Sequence, residues 1–147
     1  MKSAITQSPP HYAGFWVRFV ASMIDTILLM AAILPIVLMV YGKEYFNSSL
    51  LIKGPIDFIV SYVFPIVAVI IFWLAKSATP GKILLGLKIV DAKTLNKPTV
   101  TQLLIRYISY YLSAIPFFLG FFWVAFDKRK QGWHDKIAST LVIHVKK

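Results

Sequence analysis

The chain has 147 residues, 58% of them hydrophobic and 15% aromatic, and a mean hydropathy of +0.70, well above a soluble protein with roughly 45–50% apolar residues. It has no cysteine and three scattered histidines, which excludes disulfides and thiol catalysis and argues against a metal centre; no cofactor loop is present either. Sixteen Lys and Arg against six Asp and Glu give a formal charge of +10. No recognition element gathers these charges for nucleic acid, whereas basic residues collect beside membrane spans on the cytoplasmic side, so the bilayer and its anionic headgroups are the expected partners.

Residues 1–12 are polar, with Pro9 and Pro10 together, and read as a flexible N-terminal tail before a membrane domain over residues 13–147. A first span is predicted at Phe15–Tyr41, long enough to cross a hydrocarbon core of about 30 Å, with a kink at Pro35. A short, nearly charge-balanced loop follows, and a second span is predicted at residues 56–75, where Trp73 and Lys76 read as an interfacial aromatic and its flanking charge. From Lys76 to Gln102 the pattern changes: five lysines punctuate it, and Leu85, Leu87 and Ile89 alternate with period two, a strand signal. Thr79-Pro80-Gly81-Lys82 lacks the full phosphate-loop pattern and reads as a tight turn. Residues 103–126 form a third apolar block containing Arg106, Pro116 and Gly120. The basic tail then offers a second strand at residues 140–146.

If residues 103–126 crossed the membrane once, the lysine-rich loop and the basic tail would lie on opposite sides. The positive-inside rule prefers both in the cytoplasm, and each strand needs a partner for its backbone groups. The expected fold is therefore mostly α and membrane-integral. It has two full transmembrane helices, a third helical segment broken near Pro116 or re-entrant, and a small cytoplasmic two-stranded β element. The alternative is a plain third span with a proline kink. Both termini are then cytoplasmic.

Asp25 lies deep in the first span, where a carboxylate costs roughly 2.5–3.5 kcal/mol on insertion scales and needs a role. Arg18, seven residues earlier, shares its helix face but stands about 10.5 Å away along the axis, with its side chain leaning away. Each charge therefore needs a partner from elsewhere: Arg106 for Asp25, and Asp135 or Asp127 for Arg18. Asp25 either joins a buried ion pair or serves as an ion or proton site. Lys82, Lys88, Lys128, Arg129 and Lys130 are candidate contacts for lipid headgroups. Trp133-His134-Asp135 resembles one edge of a catalytic dyad, but no nucleophile accompanies it, and no enzymatic activity is expected.

Several ordered pieces together resemble the RDD family of small integral membrane proteins. They are Ala13-Gly14-Phe15-Trp16-Val17-Arg18 through Asp25; Thr79-Pro80-Gly81-Lys82 with Leu85-Gly86-Leu87-Lys88-Ile89-Val90-Asp91; Leu104-Ile105-Arg106; and Gln131-Gly132-Trp133-His134-Asp135-Lys136 through Thr140-Leu141-Val142. The resemblance places the family's name-giving arginine on Arg18, its first aspartate on Asp25 and its second on Asp135. Trp133 and Ser139 depart from the smaller aliphatic residue and the glycine common at those positions. The resemblance implies a protein of the bacterial inner membrane. Cation/proton exchange has been proposed for some such proteins, while others look like accessory or scaffold subunits. The expected function is ion handling or transport, with Asp25 exchanging a proton or monovalent cation and Arg18, Arg106 and Asp135 tuning it; the alternative is a non-catalytic scaffold or accessory subunit. Exchange would require a homo-oligomer or a larger membrane complex, since three segments make a poor pathway alone.

Overall fold

A computed structural model describes residues 10–116 and 119–145. The expected tail, residues 1–12, falls mostly outside them. Its described end is tied down: the His11 carbonyl accepts the His144 N–H at 2.8 Å, and Tyr12 forms an isolated bridge with Ile143.

The first long helix, α1, spans Phe15–Tyr41. A 3₁₀ turn, Lys43–Asn47, leads to α2 (Pro55–Phe58), a π-helical stretch (Ile59–Val63) and α3 (Phe64–Lys76). By length and composition, α1 and the run Pro55–Leu84 can each cross a membrane. Proline opens α2 at a position where its missing N–H has no helical acceptor to lose. Ser77, in the left-handed conformation, ends α3.

At the far end of the pair, Asp57 is fully buried. It accepts the Tyr45 hydroxyl, the Ser61 hydroxyl and the Lys53 backbone N–H at 2.7–2.8 Å, while its own N–H donates to the Tyr41 hydroxyl at 3.1 Å. These uncharged donors stitch the loop between the long helices to the start of the second. Sequence reading passed over this residue.

The segment expected to be a tight turn is instead a short helix, α4 (Pro80–Leu84), packed directly on α1. A Cβ added at Gly81 would stand 2.1 Å from the Ala21 carbonyl oxygen, so only glycine allows this approach. The chain then enters β1 (Leu87–Asp91), which pairs antiparallel with the last strand, β2 (Thr140–His144). Thr99 and Gln102 form a capping box that starts α5, Val100–Ala114. Next come α6 (Leu119–Phe122), a 3₁₀ turn and α7 (Trp133–Ala138).

Residues 103–126 do not form a straight span; Phe117 and Phe118 among them lie outside the described residues. The axis turns by 110° between α5 and Leu119–Ala125. Because β1 precedes this segment and β2 follows it, their pairing holds its two ends at the same end of the molecule. Gly120 permits the return, since a Cβ there would meet Ser113 Cα at 2.7 Å. Beyond the buried Leu103, the side chains of α5 are arranged inside out: Arg106, Ser109 and Ser113 are buried, whereas Leu104, Ile108 and Leu112 are exposed. Such a face is suited to lipid or to another protein surface.

The core gathers where the sheet meets the first turns of α1 and the last turns of α3, around Ala13, Ala21, Leu87, Ile89, Leu103 and Val142. Trp73 belongs to it at 1% exposure. The interfacial anchor expected there is thus a core side chain, covered by α5. By contrast, only Arg18, Ala21 and Val37 of the 27 residues in α1 are buried, so most of this helix is left to the surroundings.

A charge network centred on Asp135

Asp135 is completely buried in α7. Its Oδ1 accepts from Arg106, and its Oδ2 accepts from Arg18 at 2.7 Å and from the Gly132 backbone N–H at 2.9 Å. Arg106 reaches it from the buried face of α5 and also donates to the Thr140 hydroxyl at 2.7 Å. Arg18 comes from α1 and makes a further bond of 2.8 Å to the Lys130 carbonyl. One carboxylate thus fastens α1, α5 and α7 together at the mouth of β2.

Burial alone would raise the Asp135 carboxyl, but Arg106 and then Arg18 more than reverse this and hold it far below the usual carboxylate range. Burial also pushes the His134 imidazole well below its ordinary value. Its hydrogen bonds match the neutral ring. Nε2 faces an Arg18 donor at 3.2 Å and must accept, while Nδ1 lies 3.4 Å from the Ser113 hydroxyl, which also accepts the His134 backbone N–H at 3.2 Å. Among the described residues no group of His, Asp and Glu side chains has metal-site geometry.

The predicted pairing of Arg18 with Asp135 forms. The alternative acceptor, Asp127, is engaged by Lys136 at 2.7 Å instead. The predicted pairing of Asp25 with Arg106 does not form, because Arg106 is held by Asp135 and α4 fills the space beside Asp25. The Asp25 carboxylate accepts the Thr79 hydroxyl at 2.5 Å and the Gly81 N–H at 2.7 Å, thereby capping α4. Opposite charge had suggested the wrong partner. The stronger clue was the Gly81 amide, in a first helical turn where no acceptor lies within the helix.

Of the basic residues expected at headgroups, Lys128 and Arg129 are exposed and Lys88 and Lys130 are partly so. Arg129 also donates to the Ala92 carbonyl at 2.7 Å. Lys82 does not fit that expectation. It is 6% exposed, facing inward toward Trp73, because α4 turns it under α1 and α5.

The RDD family profile matches residues 12–139. The uncharacterised protein RP437 of Rickettsia prowazekii (strain Madrid E) is 47% identical over 74 residues, a match covering 50% of this chain but only 40% of that protein. From Bacillus subtilis (strain 168), the uncharacterised protein YxaI is 30% identical over 90% of this chain and 97% of its own length. The uncharacterised membrane protein YteJ of the same organism is 31% identical over 92% of this chain and 82% of its own length. No solved structure matches. With Arg18, Asp25, Arg106 and Asp135 all inside the matched region, the chain is a small membrane protein belonging to the RDD family.

Proposed function

We propose that this domain is a non-catalytic membrane scaffold or accessory subunit, in which the buried charges fix helix packing and the outer surfaces engage lipid and a partner protein or a second copy. The carrying observation is that the oxygens of Asp135 and Asp25 are all engaged by donors that hold the fold itself together. The apolar outer faces of α1 and α5 supply the surface such a role needs. The second reading, exchange of a proton or monovalent cation at Asp25, draws support from one feature: among the described residues this half-buried carboxylate has only uncharged hydrogen-bond partners. The sheet end, which carries the lysine-rich loop and the basic tail, faces the cytoplasm in both readings, in keeping with the positive-inside rule.

Reporter fusions after Lys147 and within residues 47–49 test this orientation. The first is expected inside and the second outside; the reverse result overturns it.

Everted vesicles separate the two functional readings. As a scaffold, the Asp25→Asn protein gives the same pH-dependent cation flux as the wild type, with at most a modest loss of abundance from weakened capping. Loss of flux at normal abundance would establish exchange instead.

Removing Asp135 leaves two buried cations uncompensated, so Asp135→Asn is expected to destabilise the protein by about 3–5 kcal/mol. Replacing the whole network, with Arg18→Met, Arg106→Met and Asp135→Leu together, should recover much of that loss. Thermal midpoints in detergent measure both. A triple variant as unstable as the single one would count against a packing role.

Stability should also depend on pH. The unfolded chain takes up a proton at His134 below about pH 6.5, whereas the folded protein keeps this ring neutral. Acidification through that range therefore favours unfolding. Asp135 adds a further loss below about pH 4, where the unfolded carboxyl protonates and the folded one does not. Midpoints measured from pH 7 to pH 5 should fall in the wild type and stay nearly level in His134→Gln.

A further inference from the structure

A cavity of about 410 Å³ opens beside Arg18, and neither reading above makes use of it. Its polar end is formed by Arg18, Ser22, Lys82, Tyr110 and His134, and its apolar wall includes Phe15, Phe19, Phe122 and Val124. Phe19 and Phe122 are 48% and 49% exposed, so the cavity reaches the same surface on which α1 displays its apolar side chains. The volume exceeds what a bare oxyanion fills and lies within the range of about 300–1,000 Å³ usual for ligand pockets.

The charge around it is unbalanced. Three cations, Arg18, Lys82 and Arg106, are each less than a tenth exposed, against two carboxylates, the buried Asp135 and the half-buried Asp25. Lys82 is the surplus charge. Its ammonium makes no hydrogen bond to any described residue and lies 6.0 Å from the centre of the Trp73 ring. A lysine head offers three donors, and leaving them unmatched inside a protein is unfavourable. For packing alone, methionine would serve better at this position.

We propose that this cavity binds the oxyanion head of an amphiphile, a phosphate or carboxylate seated between Lys82 and Arg18, with its apolar part running past Phe15 and Phe19 toward the bilayer. The unmatched ammonium, the adjacent guanidinium and the aromatic wall each select one part of such a molecule. A zwitterionic head, which brings its own cation, fits less well.

The test uses the full-length protein in a non-ionic detergent with three probes: dihexanoyl phosphatidic acid, dihexanoyl phosphatidylcholine and inorganic phosphate. Native mass spectrometry and thermal midpoints should show the phosphatidic acid binding at least ten-fold more tightly than the phosphatidylcholine and raising the midpoint. Lys82→Met should melt no lower than the wild type without ligand, yet lose at least ten-fold in affinity, while Lys82→Arg retains binding. Inorganic phosphate as effective as phosphatidic acid would assign the site to a free oxyanion and overturn the apolar half of the proposal. The whole proposal falls if no probe binds, if Lys82→Met binds normally, or if neutralising exposed Lys128 and Arg129 removes binding while Lys82→Met does not. If Lys82→Met fails to fold, Ser22→Phe, which fills the cavity from α1, should abolish binding, and retained binding would be equally fatal.

Discussion

Two arginines that converge on one buried carboxylate impose a constraint that most of the surrounding structure serves. Neither guanidinium can stay in an apolar interior without a counter-charge, and Asp135 can meet both only where α7 lies along α5 with the first turns of α1 alongside. The Gly132 N–H occupies a further lone pair and anchors the start of α7. Thr140, the first residue of β2, gives Arg106 a second acceptor. Helix packing, strand position and chain reversal near Pro116 thus share one electrostatic requirement.

Asp25 solves a different problem with the same chemical group. Its oxygens hold an amide and a hydroxyl at the start of α4, and this, with Gly81 against Ala21, docks a polar piece of chain onto a helix that is otherwise apolar. Asp57 does comparable work at the opposite end, again with uncharged donors. Among the three buried or half-buried carboxylates in or beside the long helices, only Asp135 relies on formal cations. Carboxylates near a membrane need not imply ion pairs, because backbone amides and hydroxyls can satisfy them.

Much of the architecture was legible in the chain. The two long apolar runs read directly as helices, and period-two alternation at Leu85, Leu87 and Ile89 marked the strand. The matching basic character of the two flanking segments favoured a third block that doubles back over a plain span. Charge singled out Arg18 and offered Asp135 or Asp127 as its partner, and the resemblance favoured Asp135. What remained hidden depended on tertiary neighbours. Asp25 was matched by charge to Arg106, although its partners are neutral groups on an element too short to show helical periodicity. Trp73 carries the signature of an interfacial anchor, and only α5, an element about 30 residues later, makes it core. Lys82 looks like any other lysine in a basic loop until α4 turns it inward. Asp57 sits in the first turn of a span, where an acidic residue is unremarkable beside a helix N-terminus.

The long separation of Asp135 from Arg18 along the chain has a consequence for biosynthesis. Arg18 and its acceptor are separated by 117 residues, so at roughly 5–20 residues per second the ribosome takes about 6–23 s to supply the counter-charge after Arg18 has been made. During that interval Arg18, and Arg106 once it is made, lack the carboxylate that neutralises them in the folded protein. The packing of α1 against α5 is therefore completed by an element made after both. Until α7 is made, neither guanidinium has the carboxylate that fastens its helix to the others.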